Sequence, residues 1–304
     1  MKPLLCVITG PTACGKTDIS IRLAQYFNAH IISADSRQFY HQLKIGAASP
    51  TQEQLNLAPH HFVGHLSVEN YYNVYKYEQD ALALCSKLFE ENNMVVVTGG
   101  SGLYIDALTN GIDLLPDSDP IMRESLNTLF KESGLRALQE KLKVLDPIYY
   151  DVVDKLNPIR LIRAIEVCLS TGEPYSNLRV QKKVERPFDV LKIVLNRPKE
   201  ELHRRIELRT DQMIEEGLVD EVKSLAPYRS LNALNTVGYK EIFQFLDGTI
   251  SMNQAVIDIK TNTRRYAKRQ LTWFRRDESY HWIETNTGDA FAKIIDLIIK
   301  EVTG

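Results

Sequence analysis

The sequence predicts an α/β fold in which a parallel sheet with crossover helices is interrupted by a helical insertion. In the first third of the chain, strand-like and helix-like segments alternate, which is the order of a parallel sheet. Residues 119–186 lack strand signals and carry apolar residues at helical spacing. The motif GPTACGKT, residues 10–17, joins a strand to a helix and is typical of a P-loop NTPase-like core.

The elements of the first third follow from its apolar segments. LLCVIT predicts the first strand, and a helix begins after Gly15. HIISAD predicts the second strand, the segment from Tyr72 to Phe89 a helix, and MVVVTGG the third strand. The next helix begins at Ser101. Together these elements form the first part of the core, residues 1–118.

A helical insertion is predicted over residues 119–186, where RESLNTLFKESGLRALQEKL and PIRLIRAIEVCLS have helical spacing. The strand VLKIVL returns the chain to the core, whose second part is residues 187–304. Pro198 marks the start of a further helix. In the last predicted helix, QAVIDIKTNTRRYAKRQLTWFRR, apolar residues form one stripe and most cations lie elsewhere.

Composition restricts the class of protein. The 304 residues are 44% hydrophobic and 25% charged, as in soluble globular proteins. The formal net charge is -2, so nucleic-acid binding would depend on local clusters of Lys and Arg. The four cysteines form no CxxC pair, which favours free thiols in a reducing compartment. We therefore expect a cytoplasmic enzyme that does not span a membrane.

The motif at residues 10–17 predicts a diphosphate site. Its glycines let main-chain N–H groups turn around a phosphate, Lys16 supplies a charge, and Thr17 supplies a ligand for Mg²⁺. The loop alone fits a kinase, an ATP-binding or GTP-binding NTPase, or a transferase that consumes a diphosphate. The predicted diphosphate-binding residues are Gly10, Pro11, Thr12, Ala13, Cys14, Gly15, Lys16 and Thr17.

Polar residues follow two of the predicted strands. Asp35 follows the second strand and should lie at the carboxyl edge of the sheet, beside the phosphate loop. Both a catalytic carboxylate and a residue that caps a turn fit this position. Ser101 follows Gly99 and Gly100 at the end of the third predicted strand. It fits either a hydroxyl donor to a ligand or an N-cap.

Basic residues suggest two anion-binding surfaces. Arg205 and Arg209 lie one helical turn apart, so they fit an anion clamp, or else surface pairs with Glu201 or Glu207. Cations and aromatic residues are interleaved in the last predicted helix, which suits an RNA backbone and stacked bases, although two of the aromatic residues fit a core equally well. This basic cluster contains Lys260, Arg264, Arg265, Lys268, Arg269, Arg275 and Arg276, with Tyr266, Trp273 and Phe274.

The segment HHFVGH contains His60, His61 and His65 but lacks the helical spacing and the carboxylate of an HExxH metal motif. We interpret these histidines as residues at the edge of a strand or loop.

Seven motifs, in their order and spacing, closely resemble the bacterial tRNA dimethylallyltransferases, also called tRNA isopentenyltransferases. They are GPTACGKT, SADSRQFY, APHHFVGHL, VVVTGGSGLYIDAL, NPIRLIRAIEV, VGYKEI and YAKRQLTWFRR. The resemblance covers nearly the whole chain. The phosphate loop is generic, whereas DSxxxY and KRQxTWFR are much more specific to that family.

The resemblance implies transfer of a dimethylallyl group from dimethylallyl diphosphate to the exocyclic amine of the adenosine 3′ of the anticodon. The insertion would then hold the anticodon stem-loop of tRNA. Asp35 would be the general base, Ser101 and Lys16 further catalytic residues, and Arg209 a ligand of the diphosphate. The implied tRNA-binding residues are Asp35, Ser36, Arg37, Gln38, Ser101, Arg123, Ile159, Arg160, Leu161, Ile162 and Arg163, to which the basic helix adds Lys268 and Arg269.

The chain departs from the family pattern at three places. Ser49 replaces a common lysine, Ser101 a usual threonine, and Ile159-Arg160 a glutamine-arginine pair. Three other functions fit the phosphate loop, namely a small-molecule kinase, a prenyltransferase acting on free adenine nucleotides, and an RNA-binding NTPase. The insertion and the basic helix favour tRNA as the substrate. We expect a monomer that uses Mg²⁺.

Overall fold

The computed structural model describes residues 2–180, 183–286 and 288–303, in which six parallel strands form one sheet. This confirms the predicted α/β class. The order across the sheet is β3-β2-β4-β1-β5-β6, with β1 between β4 and β5. The strands are β1 (Leu4–Thr9), β2 (His30–Ser33), β3 (His60–His61), β4 (Met94–Gly99), β5 (Asp189–Asn196) and β6 (Tyr280–Glu284).

Thirteen α-helices accompany this sheet in the described residues. The first four are α1 (Lys16–Phe27), α2 (Gln52–Leu57), α3 (Val74–Glu91) and α4 (Gly102–Asn110). Four more follow without an intervening strand: α5 (Pro120–Leu145), α6 (Pro147–Val152), α7 (Pro158–Thr171) and α8 (Tyr175–Leu178). The last five are α9 (Lys199–Glu215), α10 (Leu218–Ser224), α11 (Tyr239–Leu246), α12 (Met252–Phe274) and α13 (Ala290–Thr303).

The central strand β1 is buried on both faces of the sheet. Its side chains alternate between two apolar clusters, with Leu5 and Val7 in one and Cys6 and Ile8 in the other. A strand covered by helices on both sides can be apolar at every position, which explains the continuous run LLCVIT. All four cysteines of the chain are free, as predicted, and all four are buried.

The chain divides into two compact units. Met1–Thr109 and Glu185–Gly304 form the sheet unit, and Asn110–Val184 forms the helical unit. The helical unit contains α5 to α8 around a core of its own. It begins earlier than the predicted position 119, because the chain leaves the sheet unit at the end of α4.

Local signals fix the helices of the helical unit. The Asp119 side chain accepts a hydrogen bond from an amide in the first turn of α5, and Pro120 occupies the first helical position. For α7, the Asn157 side chain accepts a hydrogen bond from an amide of the first turn, and Pro158 is the first helical residue. Gly172, in the left-handed conformation, caps the C-terminus of this helix.

The strands β3 and β6 were not predicted from the sequence, nor were several helices, among them α2, α11 and α13. The predicted third strand is β4, because the two-residue strand β3 precedes it. Within the described residues, no helix is both long and apolar enough to cross a membrane.

Candidate active site

The phosphate loop, residues 10–17, connects β1 to α1. Gly10 has a φ of 144°, and a Cβ atom there would lie 2.3 Å from the main-chain oxygen of Leu195. Only glycine fits this position. Gly15 is left-handed, with a φ of 102°, and precedes the first residue of α1. The two glycines therefore shape the loop as the motif predicts.

Lys16 extends its ammonium group across the phosphate loop. Its Nζ donates to the main-chain oxygens of Gly10 at 3.1 Å and Pro11 at 2.9 Å. Among the described residues, no side chain caps the N-terminus of α1. The first amides of the helix, together with its dipole, are therefore available to an anion beside Lys16.

Arg205 and Arg209 of α9 both contact the phosphate loop. Arg205 Nε donates to the main-chain oxygen of Ala13 at 2.8 Å, and Arg209 Nη1 donates to Thr12 Oγ1 at 3.2 Å. Burial lowers the pKa of Arg209, and the negative charge of Asp35 opposes that shift. Because an arginine remains charged in proteins, two cations of one helix face lie at the loop. This geometry supports the predicted anion clamp.

Arg197 is a third arginine at the phosphate loop, and it was not predicted from the sequence. Its Nε donates to the main-chain oxygen of Cys14 at 3.1 Å, and its guanidinium pairs with Glu201. Thr285, directly after β6, donates to the same Cys14 oxygen at 3.2 Å. Arg197 directly follows β5, and its place at the carboxyl edge of the sheet is the signal that could have identified it.

Asp35 lies two residues after β2, at the carboxyl edge of the sheet. Its Oδ1 accepts a hydrogen bond from the main-chain amide of Arg37 at 3.0 Å, which stabilises the turn after the strand. Burial, and then the charge of Asp35, raises the pKa of Tyr266 on α12. The same charge acts on Arg209. The half-buried carboxylate therefore stabilises a turn and also influences both neighbouring helices.

Ser101 links the ends of β2 and β4. Its Oγ accepts a hydrogen bond from the Ser36 amide at 3.1 Å and lies 3.4 Å from the Ser36 Oγ. Its own amide donates to the main-chain oxygen of Ala34 at 3.2 Å, and its side chain hydrogen-bonds to Tyr266. The Ser101 hydroxyl therefore lies against the turn that contains Asp35, as the shared sheet edge predicts.

Gln38 holds the turn after β2 in place. Ser33 Oγ donates to Gln38 Oε1 at 3.0 Å, and Gln38 Nε2 donates to the main-chain oxygen of Ala48 at 3.1 Å. Both ends of the amide are thus engaged within the protein. This arrangement favours a positioning role for Gln38, whereas the half-buried Ser36 and Arg37 remain candidates for nucleotide contact.

A cleft of about 850 Å³ opens beside the phosphate loop. Its lining combines cations with apolar side chains, which suits an anionic head group that carries a short apolar tail. The cations are Lys16, Lys44, Arg205 and Arg209, and the apolar side chains include Ile45, Leu55, Leu208 and Met213.

Glu221 of α10 anchors one wall of this cleft. Its Oε2 accepts from the main-chain amides of Lys44 at 2.9 Å and Ile45 at 2.8 Å. Its Oε1 accepts from the amide of Gly46 at 3.0 Å and from the Tyr239 hydroxyl at 2.6 Å. Consecutive amides of this kind form an anion-binding nest, which the protein fills with its own carboxylate. Glu221 therefore fixes the loop that lines the cleft.

Trp273 and Phe274 belong to the core of the sheet unit. Phe274 is fully buried. Trp273 Nε1 donates to Asp106 Oδ2 at 2.9 Å, and the ring packs on Gly102, where a Cβ atom would approach it to 2.3 Å. These contacts favour the core interpretation of both residues over the stacking of RNA bases.

Two cations of the basic cluster pair with α9. Lys260 Nζ lies 2.6 Å from Asp211 Oδ1, and Arg264 Nη1 lies 2.7 Å from Glu207 Oε1. Glu207 thus pairs with α12 and not with Arg209. The exposed cations of the cluster are Arg265, Lys268, Arg269, Arg275 and Arg276.

In the helical unit, Arg123 and Arg163 are held by Glu166. Arg123 Nε donates to Glu166 Oε1 at 3.1 Å, and Arg163 Nη1 donates to Oε2 at 2.9 Å. Burial alone would raise the pKa of Glu166. Hydrogen bonds from Arg123, Ser118 and Arg163 outweigh burial and hold that pKa below its usual value. The arginine side chains remain 32% and 29% exposed. One buried carboxylate therefore orients two predicted tRNA contacts.

The stretch Ile159 to Arg163 corrects part of the predicted tRNA surface. Leu161 and Ile162 are buried in the core of the helical unit, whereas Ile159 is 72% exposed and Arg160 lies at the surface. Because an amphipathic helix buries one face, it turns part of any contiguous motif toward the core. The tRNA contacts expected of the Leu161 and Ile162 side chains are therefore wrong.

The three histidines of HHFVGH contact other protein groups. His60 Nδ1 lies 2.8 Å from the main-chain oxygen of Ala58, and His61 Nε2 lies 2.8 Å from His30 Nδ1. Burial lowers the pKa of His60, His61 and His65. In the described part of the chain, no group of three or more His, Cys, Asp or Glu residues could hold a metal ion.

Comparison with known proteins identifies the family. The family model of the IPP transferases matches residues 38–277. The chain belongs to the IPP transferase family. Among its relatives, tRNA dimethylallyltransferase 1 of Bacteroides thetaiotaomicron is 50% identical over 280 residues, which cover 92% of this chain and 91% of that protein.

Solved structures of IPP transferases share the fold. The full-length tRNA isopentenylpyrophosphate transferase of Bacillus halodurans superposes with a TM-score of 0.72 at 34% identity, covering 99% of this chain and 96% of that chain. A eukaryotic dimethylallyltransferase acting on tRNA superposes with a TM-score of 0.79 at 24% identity, covering 98% of this chain and 79% of that chain, which supports the fold alone. The predicted family and P-loop NTPase-like fold are confirmed.

For this member of the IPP transferase family, the structure brings most of the predicted site residues of the sheet unit to one edge of the sheet. The phosphate loop, Arg209, Asp35 and Ser101 meet there. The helical unit carries Arg123 and Arg163 separately.

Proposed function

We propose that this protein transfers a dimethylallyl group from dimethylallyl diphosphate to the exocyclic amine of the adenosine immediately 3′ of the anticodon in tRNA, releasing diphosphate. The observation that carries the proposal is the meeting of a phosphate loop with a carboxylate, Asp35, at one edge of the sheet. The names of the relatives supply the substrate class. The geometry supplies a phosphate loop for the diphosphate substrate and a carboxylate for the acceptor amine.

The phosphate-loop half of the site stabilises the leaving group. Breaking the bond between C1 and oxygen in dimethylallyl diphosphate leaves an allylic cation and places negative charge on the departing diphosphate. Lys16, Arg209 and the N-terminus of α1 neutralise that charge. The apolar lining of the cleft, which includes Ile45 and Leu55, accepts the dimethylallyl group.

The Asp35 half of the site acts on the acceptor. The exocyclic amine of adenine is a weak nucleophile, because its lone pair is delocalised into the ring. Its nitrogen forms the bond to C1 of the allylic cation that the departing diphosphate leaves, and one amine proton passes to Asp35. Since Oδ1 accepts the Arg37 amide, we assign the proton transfer to Oδ2. Ser101, which hydrogen-bonds to the Asp35 turn, orients the amine.

We also propose that Thr17 holds Mg²⁺. Thr17 lies in the first turn of α1 and lines the cleft beside Lys16. A hard oxygen ligand next to a phosphate site suits Mg²⁺, which keeps several waters and shares oxygens with phosphates. When bound, Mg²⁺ supplies positive charge to the diphosphate.

Two surfaces would bind the tRNA. On α12, the exposed Lys268 and Arg269 contact phosphates, and in the helical unit the oriented Arg123 and Arg163 do the same. Because the net charge of the chain is only -2, these local clusters supply the attraction.

Incubation with unmodified tRNA, dimethylallyl diphosphate and Mg²⁺, followed by nucleoside mass spectrometry, tests the proposal. We expect dimethylallyladenosine in the anticodon-loop fragment, and its absence would refute the proposal. In parallel reactions, AMP replaces tRNA, or ATP and GTP replace the diphosphate substrate. Modified AMP would favour the free-nucleotide enzyme. Hydrolysis of ATP or GTP stimulated by tRNA would favour the NTPase.

A further inference from the structure

One side chain of α12 joins the two halves of the site. Gln270 is 5% exposed, and its Oε1 accepts a hydrogen bond from the main-chain amide of Thr12 at 2.9 Å. Its Nε2 donates to the main-chain oxygen of Gly100 at 2.9 Å. The amide therefore connects the phosphate loop to the turn that follows β4.

The fit around Gln270 is tight. A Cβ atom at Gly100 would lie 2.1 Å from Gln270 Nε2, so a residue with a side chain at this position would push the amide away. Because both ends of the buried amide are paired, its position is fixed by two main-chain groups that lie far apart in the sequence.

Each of those groups leads to one substrate. Thr12 belongs to the phosphate loop, and its hydroxyl accepts a hydrogen bond from Arg209. Gly100 precedes Ser101, whose hydroxyl accepts the Ser36 amide next to Asp35. A short series of hydrogen bonds thus runs from the diphosphate half of the site, through Gln270, to the acceptor half.

We propose that Gln270 is a positioning residue that couples the phosphate loop to the Gly100–Ser101 turn. It thereby holds C1 of dimethylallyl diphosphate in line with the acceptor amine. This inference rests on the proposed function. Gln270 acts through Thr12 and Ser101, without contact to either substrate. A displacement of about 1 Å between reacting groups can lower a rate about a hundredfold, so loss of the coupling should slow the chemical step more than it weakens binding.

Two variants test this role. Gln270→Met keeps the approximate size and removes both hydrogen bonds, whereas Gln270→Asn keeps an amide that is too short to make both. The control is Thr272→Ala, because Thr272 is exposed on the same helix and its side chain bonds only within the helix, to Lys268.

We expect the single-turnover rate with saturating substrates to fall about 10-fold to 100-fold in both Gln270 variants, and to stay within about twofold in Thr272→Ala. The dissociation constants for tRNA and for inorganic pyrophosphate should change less than about threefold. A near-normal rate in either folded variant would overturn the proposal. So would a loss of pyrophosphate affinity in proportion to the rate, because Gln270 would then only support the phosphate loop.

Hydrogen exchange gives a readout that does not depend on transfer. In the wild-type protein, inorganic pyrophosphate should slow amide exchange both in residues 10–17 and in residues 99–104, and in the Gln270 variants only in residues 10–17. Absence of protection at 99–104 in the wild type, or its persistence in a variant, would overturn the coupling. If the wild type transfers nothing, the proposed function fails while this measurement still decides the inference. If Gln270→Met does not fold, Gln270→Asn decides it.

Discussion

Replacement of Asp35 by asparagine separates a catalytic carboxylate from a residue that only stabilises a turn. Asparagine keeps the oxygen that accepts the Arg37 amide at 3.0 Å, so the free energy of unfolding should change by less than about 0.5 kcal/mol. Asparagine cannot take the amine proton. The rate constant for transfer should therefore fall by about 10²-fold to 10⁴-fold. This corresponds to about 2.7 to 5.4 kcal/mol in activation free energy.

The structure predicts a second effect of the opposite sign. The charge of Asp35 opposes the burial that lowers the pKa of Arg209, so the two groups interact in the folded protein. Without that carboxylate, the positive potential at the phosphate loop increases. Asp35→Asn should therefore bind inorganic pyrophosphate at least as tightly as the wild type, although it transfers far more slowly.

Single-turnover transfer with saturating tRNA and dimethylallyl diphosphate measures the rate, and isothermal titration with pyrophosphate measures the affinity. The matched control is Asp119→Asn, because Asp119 Oδ1 accepts the Ile121 amide at 2.8 Å in the same turn geometry. The control should transfer within about twofold of the wild type. A near-normal rate for Asp35→Asn would refute the catalytic role and leave Asp35 as a capping residue.

Three further predictions concern the loop, the basic helix and the cleft wall. Lys16→Ala should abolish measurable transfer and leave the tRNA dissociation constant within about threefold, because its ammonium faces the phosphate loop; equal losses in rate and in filter binding would contradict this. The affinity for tRNA should fall with rising salt. Charge reversal of Lys268 and Arg269 should make the slope of log affinity against log salt shallower by about two, and an unchanged slope would remove these residues from the interface. Glu221→Gln leaves at least one amide of its nest without an acceptor and should lower the free energy of unfolding by about 1 to 3 kcal/mol. Tyr239→Phe keeps those amides paired and should cost less, so equal losses in urea denaturation would argue against the nest.

The central strands were predictable from their residues, and the edge strands were not. The strands β1, β2, β4 and β5 lie inside the sheet, where helices cover both faces and each strand consists mainly of buried apolar residues. At the edges, β3 has only two residues, both histidine, and β6 exposes His281 and Trp282. Short, half-exposed strands carry little periodicity, so no pattern marked them.

The site divides in the same way. The positions of Lys16, Asp35 and Ser101 at the sheet edge were predictable, because the ends of parallel strands meet at one edge and motifs mark those ends. Gln270 and Glu221 were not predictable, because their bonds to distant segments are made mainly to main-chain groups: Gln270 to one amide and one oxygen, and Glu221 to three amides. Main-chain groups are the same at every position, so the sequence contains no signal for such partners.

The basic helix shows why charge clusters also need the structure. Two of its cations, Lys260 and Arg264, pair with Asp211 and Glu207 of α9, whereas Lys268 lies exposed. A cation already neutralised by its own carboxylate releases few counterions when RNA binds, so among the cations of α12 only the exposed ones should contribute to the salt dependence. Replacing Lys260 and Arg264 by methionine should therefore leave the slope of log tRNA affinity against log salt within about 0.5 of the wild-type value, in contrast to the variants at Lys268. A slope that is shallower than the wild-type slope by about two would show that the ion pairs open when tRNA binds, and that α12 presents its whole basic cluster to the RNA.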